Sequence, residues 1–135
     1  MTMNVELRVR RGLGWTMVVG LLALTTSTAL AGNVTETKAE CSAPRAILLG
    51  GTGDAAPAER IRNFASASRL PIEITVVSWE LAHPVKGGPT EAFGVKCKSG
   101  SDCNAFARAF AAKNADSSPL VFCGEATVLR NERDR

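Results

Sequence analysis

The sequence predicts an α+β domain in which two helices pack on one face of a four-stranded antiparallel sheet, the split β-α-β-β-α-β or ferredoxin-like arrangement. Two observations predict it. Strand-like apolar segments and segments with helical periodicity follow one another in that order along residues 45–129. In addition, four cysteines in a chain of 135 residues predict two disulfides that staple a small domain.

Residues 1–31 have the pattern of a cleaved signal peptide. Three arginines within residues 8–11 precede an apolar run over residues 13–24, and Ala29-Leu30-Ala31 is a small-x-small cleavage site. The run is too short for a membrane span, which needs about 20 apolar residues, so we expect no transmembrane segment after cleavage. The chain is therefore predicted to be exported, to the periplasm or to the extracellular space.

The part after the leader is close to neutral. Residues 32–135 carry 13 basic and 12 acidic side chains, which gives no strong field for attracting nucleic acid. We therefore expect no nucleic-acid partner, and the composition leaves an unknown protein or a small molecule as the partner.

The first predicted elements are a strand and a helix. Residues 32–44 are polar and aperiodic, and we expect a flexible lead-in. Residues 46–50 form a short apolar run of the kind found in buried strands. The helix is predicted over 55–68, with Pro57 in its first turn and Pro71 after its end. Its apolar face consists of Ile61, Phe64, Ala65 and Ser68.

The next two strands are predicted over 72–81 and 93–97, joined as a hairpin. In the first of them the apolar alternation changes phase, which predicts a bulge near Val76-Val77. The connection from His83 to Thr90 contains two prolines and two glycines, and it is long for a hairpin turn.

A second helix is predicted to begin at Asp102 as its N-cap. Its buried stripe consists of Cys103, Phe106, Ala107, Phe110 and Ala111. Residues 120–123 and 126–129 are predicted to supply the last strand, and residues 130–135 a charged, frayed tail.

The predicted elements favour one of the three disulfide pairings. Cys97 ends a strand and Cys103 lies at the start of the following helix, so a short turn brings the two within disulfide reach. Cys41 precedes the first strand and Cys123 lies in the last, which is its neighbour in a ferredoxin-like sheet. We expect Cys97–Cys103 and Cys41–Cys123.

Two motifs resemble functional sites but are expected to be structural. The segment from Gly51 to Ala56 matches G-x-G-x-x-A, with Glu73 at the spacing of a ribose-binding acid. However, Glu73 would begin the second strand rather than end it, so we interpret the segment as a strand-to-helix turn. The spacing of Cys97 and Cys103 is not Cys-x-x-Cys, which favours a structural disulfide over a redox-active pair.

The strongest candidate for a functional surface is the long connection. Its candidate binding residues are His83, Lys86, Gly87, Gly88 and, if it is exposed beside them rather than buried in the core, Trp79. The lone histidine provides no metal cluster and no supported catalytic triad. We therefore predict no catalytic residues, no metal and no cofactor.

The sequence as a whole favours a small exported, non-catalytic binding or accessory module. Two alternatives remain open. One is a cysteine-dependent or thiol-disulfide enzyme, for which the four cysteines are the reason. The other is a structural or assembly accessory of the cell envelope.

Overall fold

The computed structural model describes residues 33–124 and 129–135, and the α+β class is confirmed. The strands are β1 (Pro44–Gly51), β2 (Ile74–Leu81), β3 (Glu91–Cys97), β4 (Leu120–Cys123) and β5 (Leu129–Asp134), and the helices are α1 (Ala56–Ser68) and α2 (Gly100–Lys113). The strands form one antiparallel sheet in the order β4-β1-β3-β2-β5. The predicted signal peptide over 1–31 lies outside the described residues.

The sheet has five strands, so the expected four-stranded ferredoxin-like arrangement is not confirmed. Residues 130–134, expected to fray as a charged tail, lie in β5, which pairs with the edge of β2 from Leu81↔Leu129 to Val77↔Asp134. The hydrophobic pattern of the sequence does not reveal β5, because an edge strand needs few apolar side chains and β5 is mostly charged. Residues 126–128 of the predicted last strand lie outside the described residues.

Both helices pack on the same face of the sheet, as expected. Phe64 of α1 contacts Phe106 and Phe110 of α2, with ring centroids 5.4 and 5.1 Å apart. These rings share one buried cluster with Ile61 and with strand residues such as Val95. The helical spacing of the apolar residues therefore identified the buried faces.

The predicted bulge at Val76-Val77 is wrong. β2 pairs with β3 without a shift from Ile74 to Glu80. Val76 belongs to the core under the helices, whereas Val77 and Trp79 belong to a second cluster on the opposite face. One register shift lies in β1, between Ile47 and Leu49, which allows the consecutive residues Leu48 and Leu49 to join the same core. A second lies where β2 pairs with β5, between Trp79 and Glu80.

The face without helices is concave. Trp79 on β2 and Phe122 on β4 are three strand spacings apart in the sheet order, which is about 14 Å in a flat sheet. Their ring centroids nevertheless lie 5.9 Å apart. Arg45 on β1 likewise reaches Glu132 on β5 at 2.7 Å. The sheet therefore coils around this second cluster, and this explains why apolar side chains are buried on both of its faces.

The expected flexible lead-in is docked on the domain. We call residues 33–43 the strap. Thr35 forms a parallel bridge with Leu120 of β4, and the Asn104 amide forms two hydrogen bonds with the backbone of Thr37, at 2.8 and 3.1 Å. Gly100 N donates to Ala39 O at 2.9 Å. The strap therefore covers the edge of β4 and the start of α2.

The helix ends follow local hydrogen bonding. Asp54 accepts a hydrogen bond from Ala56 N at 2.9 Å at the start of α1. The N-cap of α2 is Ser99, whose hydroxyl accepts from Asp102 N at 3.1 Å. The prediction of Asp102 as the cap is therefore wrong by three residues, and Asp102 lies in the first turn, where a carboxylate favours the helix dipole.

Both expected disulfides are present. Cys41 pairs with Cys123 and Cys97 with Cys103, with Cα–Cα distances of 5.7 and 5.6 Å. Within residues 33–124 and 129–135, neither helix is long and apolar enough to cross a bilayer.

Candidate functional site

The glycine-rich segment after β1 is a tight turn packed on the sheet. Gly51 lies against Phe93 of β3 so closely that a Cβ at this position would be 2.7 Å from the ring. Gly53 has a φ of +102°, a conformation that favours glycine. The glycines are therefore explained by the close approach of the turn to β3 and by its backbone conformation.

The connection between β2 and β3 is fastened to this turn. Leu81 N donates to Thr90 O at 3.0 Å at the base of the loop, and Thr90 N donates to Gly51 O at 2.9 Å. Pro89 packs on Gly50, where a Cβ would lie 3.0 Å from the proline ring. These contacts fix the base of the loop on the turn that follows β1.

The apex of the loop is a hydrogen-bonded turn. Gly88 N donates to Val85 O at 2.9 Å, and Gly87, the third residue of this turn, has a φ of +80°, as a type II turn requires. Val85 is 76% exposed, and Lys86 beside it is also exposed. The ordered turn therefore presents an apolar side chain next to a cation.

A cleft of 560 Å³ separates the loop from the start of α1. It is lined by Thr52, Asp54, Arg60, Gly88, Pro89 and Asp116, among others. The structure thus places the two glycine-rich segments of the sequence side by side. Their proximity was not evident from the sequence, because it depends on the pairing of β1 with β3.

An ion pair forms one wall of the cleft. The Arg60 guanidinium contacts both carboxylate oxygens of Asp116, at 2.5 and 3.1 Å, and the amide oxygen of Asn114 at 3.0 and 3.2 Å. Hydrogen bonding to Arg60 lowers the pKa of Asp116, and hydrogen bonding to Asp116 raises the pKa of Arg60. The two charges neutralise each other and join α1 to the segment before β4.

The predicted site residues separate into two groups. His83, Lys86 and Gly87 are exposed on the loop and Gly88 is half-buried. Trp79 is only 4% exposed and lies in the cluster on the concave face. Trp79 is therefore a core residue. Because it was a candidate binding residue only if exposed beside the loop, it is not part of the binding surface. Sequence reasoning missed Val85, although a valine between Pro84 and Lys86 in a polar loop was a usable signal.

The geometry agrees with a structural role for the G-x-G-x-x-A segment. Gly51 pairs with Glu91 at the start of β3, whereas Glu73 forms a salt bridge of 2.5 Å with Lys98, which follows the end of β3. Hydrogen bonding to Lys98 and its charge lower the pKa of Glu73. Glu73 and the turn are at opposite ends of the sheet, so Glu73 is not in position to hold a ribose bound at the turn.

No protein-family model matches the chain, and no curated protein or solved structure shows significant similarity to it.

The cysteines and the histidine form no catalytic arrangement. All four cysteines are in disulfides, and Cys103, at the start of α2, is fully buried. Among the described residues, no group of three or more histidine, cysteine, aspartate or glutamate side chains is arranged to hold a metal ion.

Proposed function

We propose that this chain is a small exported, non-catalytic binding module, and that the loop over residues 83–90 and the adjacent cleft form its surface for a protein partner. One observation carries the proposal. The base of the loop is fastened to Gly50 and Gly51, while its apex presents Val85 to solvent. A preordered loop loses little conformational entropy on binding.

The chemistry of the apex favours a protein as partner. An exposed valine buried at an interface contributes about 1.5 to 3 kcal/mol, and the neighbouring His83 and Lys86 supply polar contacts at its rim. The cleft adds backbone groups and the side chains of Thr52 and Asp54. This combination fits a protein surface with an apolar depression and an acidic rim.

Export is part of the proposal. It rests on the signal-peptide pattern of residues 1–31, and two disulfides are compatible with an oxidising compartment. A cysteine-dependent enzyme is the less favoured alternative, because such an enzyme needs a thiolate and all four cysteines are paired. A count of free thiols on the oxidised protein separates the two, since a reactive thiol would support the enzyme.

The test is photo-crosslinking in the producing cells, with a photoreactive residue placed at position 85 or, as a control, at the exposed position 112 on α2. We expect a discrete adduct from position 85 alone. Val85→Glu should then weaken the purified complex by about 10- to 100-fold, whereas Ala112→Glu should leave it unchanged. Equal loss in both variants, or adducts from position 112 only, would assign binding to another surface.

A further inference from the structure

The strap is held by one covalent bond, by hydrogen bonds, by the ion pair of Glu36 with Arg108 of α2 and by the packing of half-buried Val34 against the core. Besides the Cys41–Cys123 disulfide, its contacts include the two backbone hydrogen bonds of Thr35, to Pro119 O and from Val121 N, and those of Thr37 with Asn104. Most of its side chains are exposed or half-buried. No residue of the strap is fully buried, and segments with few buried contacts open locally at a lower cost in free energy than the core does, so the disulfide is the restraint that keeps the strap in place when these weaker contacts break.

The two disulfides differ in accessibility. Cys123 is exposed and Cys41 is half-buried, so the bond of the strap faces solvent. In the other pair Cys97 is half-buried and Cys103, in the first turn of α2, is fully buried. In each bond a thiolate can approach the half-buried sulfur along the sulfur–sulfur axis, but the thiolate that leaves is exposed to solvent at Cys123 and buried at Cys103. Because burial disfavours a thiolate, exchange is faster at the Cys41–Cys123 bond.

A hydroxyl is positioned to assist this exchange. Thr37 Oγ1 lies 3.1 Å from Cys123 Sγ, and since a disulfide sulfur carries no hydrogen, Thr37 is the donor. A hydrogen bond to a sulfur that leaves as a thiolate lowers its pKa, and thiols of lower pKa leave faster. Thr37 therefore favours attack on Cys41 with Cys123 as the leaving group.

We propose that the Cys41–Cys123 disulfide is a thiol-sensitive latch, which a dithiol reductant opens to release the strap from β4 and α2. One thiolate of the reductant attacks Cys41 Sγ, and Cys123 leaves as a thiolate that takes a proton from water. The second thiol of the reductant then displaces Cys41, which is also protonated. The protein gains two electrons and two protons, and the reductant becomes a cyclic disulfide.

Release of the strap changes two places in the fold. Val121 N loses the acceptor Thr35 O, and Gly100 N loses Ala39 O. The edge of β4 and the first turn of α2 then become open to solvent or to another chain. Val34 also leaves its contact with the core, but the pairing of β1, β2 and β3 does not involve the strap and is retained. The latch is separate from the loop and the cleft of the proposed function.

The test treats the folded, oxidised chain with dithiothreitol, traps thiols by alkylation and locates them by mass spectrometry. We expect Cys41 and Cys123 to be labelled at least tenfold faster than Cys97 and Cys103. After reduction, hydrogen exchange at Val121 and Gly100 should be faster than at Val95 in the central strand, which exchanges only when the whole domain unfolds. Equal labelling of both pairs, or equal exchange free energies at Val121, Gly100 and Val95 in the reduced protein, would mean that the strap opens only when the whole domain unfolds and would overturn the latch.

A second test measures the rate of reduction in variants of Thr37, a rate that would not depend on the hydroxyl if the disulfide were purely structural. Thr37→Val should slow reduction by about fivefold, which corresponds to the loss of one hydrogen bond of about 1 kcal/mol. Thr37→Ser should restore the rate. Thr35→Val is the matched control on the same strap, since its backbone hydrogen bonds are retained. A rate unchanged in Thr37→Val, or slowed equally in Thr35→Val, would contradict the assigned role of the hydroxyl.

Discussion

Trp79 on β2 donates its indole N–H to the carboxylate of Glu132, the residue opposite it on β5, at 2.9 Å. The same carboxylate accepts two hydrogen bonds from Arg45 of β1, at 2.7 and 2.9 Å. Glu132 thus connects the edge strand β5 with a strand three positions away in the sheet order. The three side chains bridge the concave face across its apolar cluster, and this ties the largely exposed, charged strand β5 to the rest of the sheet.

The stability of the domain should depend on the ionisation of Glu132. Burial would raise the pKa of Glu132, but the hydrogen bonds from Arg45 and Trp79 and the charges of Arg45 and Lys96 outweigh burial and lower it. A carboxyl with a lowered folded-state pKa stabilises the fold above its unfolded pKa of about 4.3. This stabilisation should disappear as the pH falls through the lower folded-state value.

The measurement is urea unfolding at a series of pH values between neutrality and the acid limit, followed by fluorescence. Trp79 is the one tryptophan outside residues 1–31, and its indole is bonded to the titrating group. Glu132→Gln should lower the free energy of unfolding by about 1 to 2 kcal/mol at neutral pH and flatten the acid slope. A slope identical in the variant and the parent would show that other carboxylates are responsible.

Elements that bury a large apolar surface are the ones whose sequences predict them well. α2 was predicted well because Phe106 and Phe110 recur at helical spacing on its buried face. β5 was missed because its only apolar residue is Leu129, and its pairing depends on ion pairs with distant strands. The phase change at Val76-Val77 was detected but misinterpreted, because coiling of the sheet buries both faces, and this is a property of the whole sheet.

In the candidate site, too, the sequence predicts local features but not the contacts between distant segments. The exposed loop residues His83, Lys86 and Gly87 were identified from local composition, since prolines and glycines mark a connection whatever its surroundings. The cleft beside them requires β1 to pair with β3, and the ion pair of Arg60 with Asp116 joins residues 56 positions apart. Contacts of that range depend on the sheet topology, for which a single sequence carries little direct signal.

A second prediction concerns the buried hydroxyl of Ser78. This side chain is fully buried on the helix face of β2 and accepts a hydrogen bond from Arg135 Nε at 2.8 Å. Arg135 also pairs with Glu91 at 2.7 Å and lies over the Phe93 ring, 5.5 Å from its centroid. Arg135→Ala should destabilise the domain by about 2 kcal/mol, because it leaves the hydroxyl and the carboxylate without this partner.

A double-mutant cycle measures this coupling. Ser78→Ala should cost less in the Arg135→Ala background than in the parent, by about 1 kcal/mol, as determined by chemical denaturation. Arg62→Ala is the control, since it removes another arginine from the same end of the domain without touching Ser78. Strict additivity of the two substitutions would show that the hydrogen bond contributes nothing to stability.

The two disulfides should contribute unequally to stability. Cys41–Cys123 closes a loop of 82 residues and Cys97–Cys103 a loop of 6. The loop-entropy relation assigns them about 4.5 and 2.2 kcal/mol. Replacing each pair by alanines, which avoids placing a serine hydroxyl at the buried Cys103, should therefore lower the denaturation midpoint more for the long loop. Equal midpoints, or a larger loss for the short loop, would contradict the entropic account.

The last prediction separates the apex of the binding loop from its base. Replacing residues 83–88 by Asn-Gly leaves the five residues Ala82-Asn-Gly-Pro89-Thr90 between the strands, a length common in hairpins. Pro89 and Thr90 are retained because they contact Gly50 and Gly51. The variant should unfold within about 1 kcal/mol of the parent, since loop entropy varies slowly with length, but it should lose the complex detected through position 85. Intact binding would show that residues 83–88 are dispensable slack, whereas a large loss of stability would mean that the loop supports the β2–β3 hairpin itself.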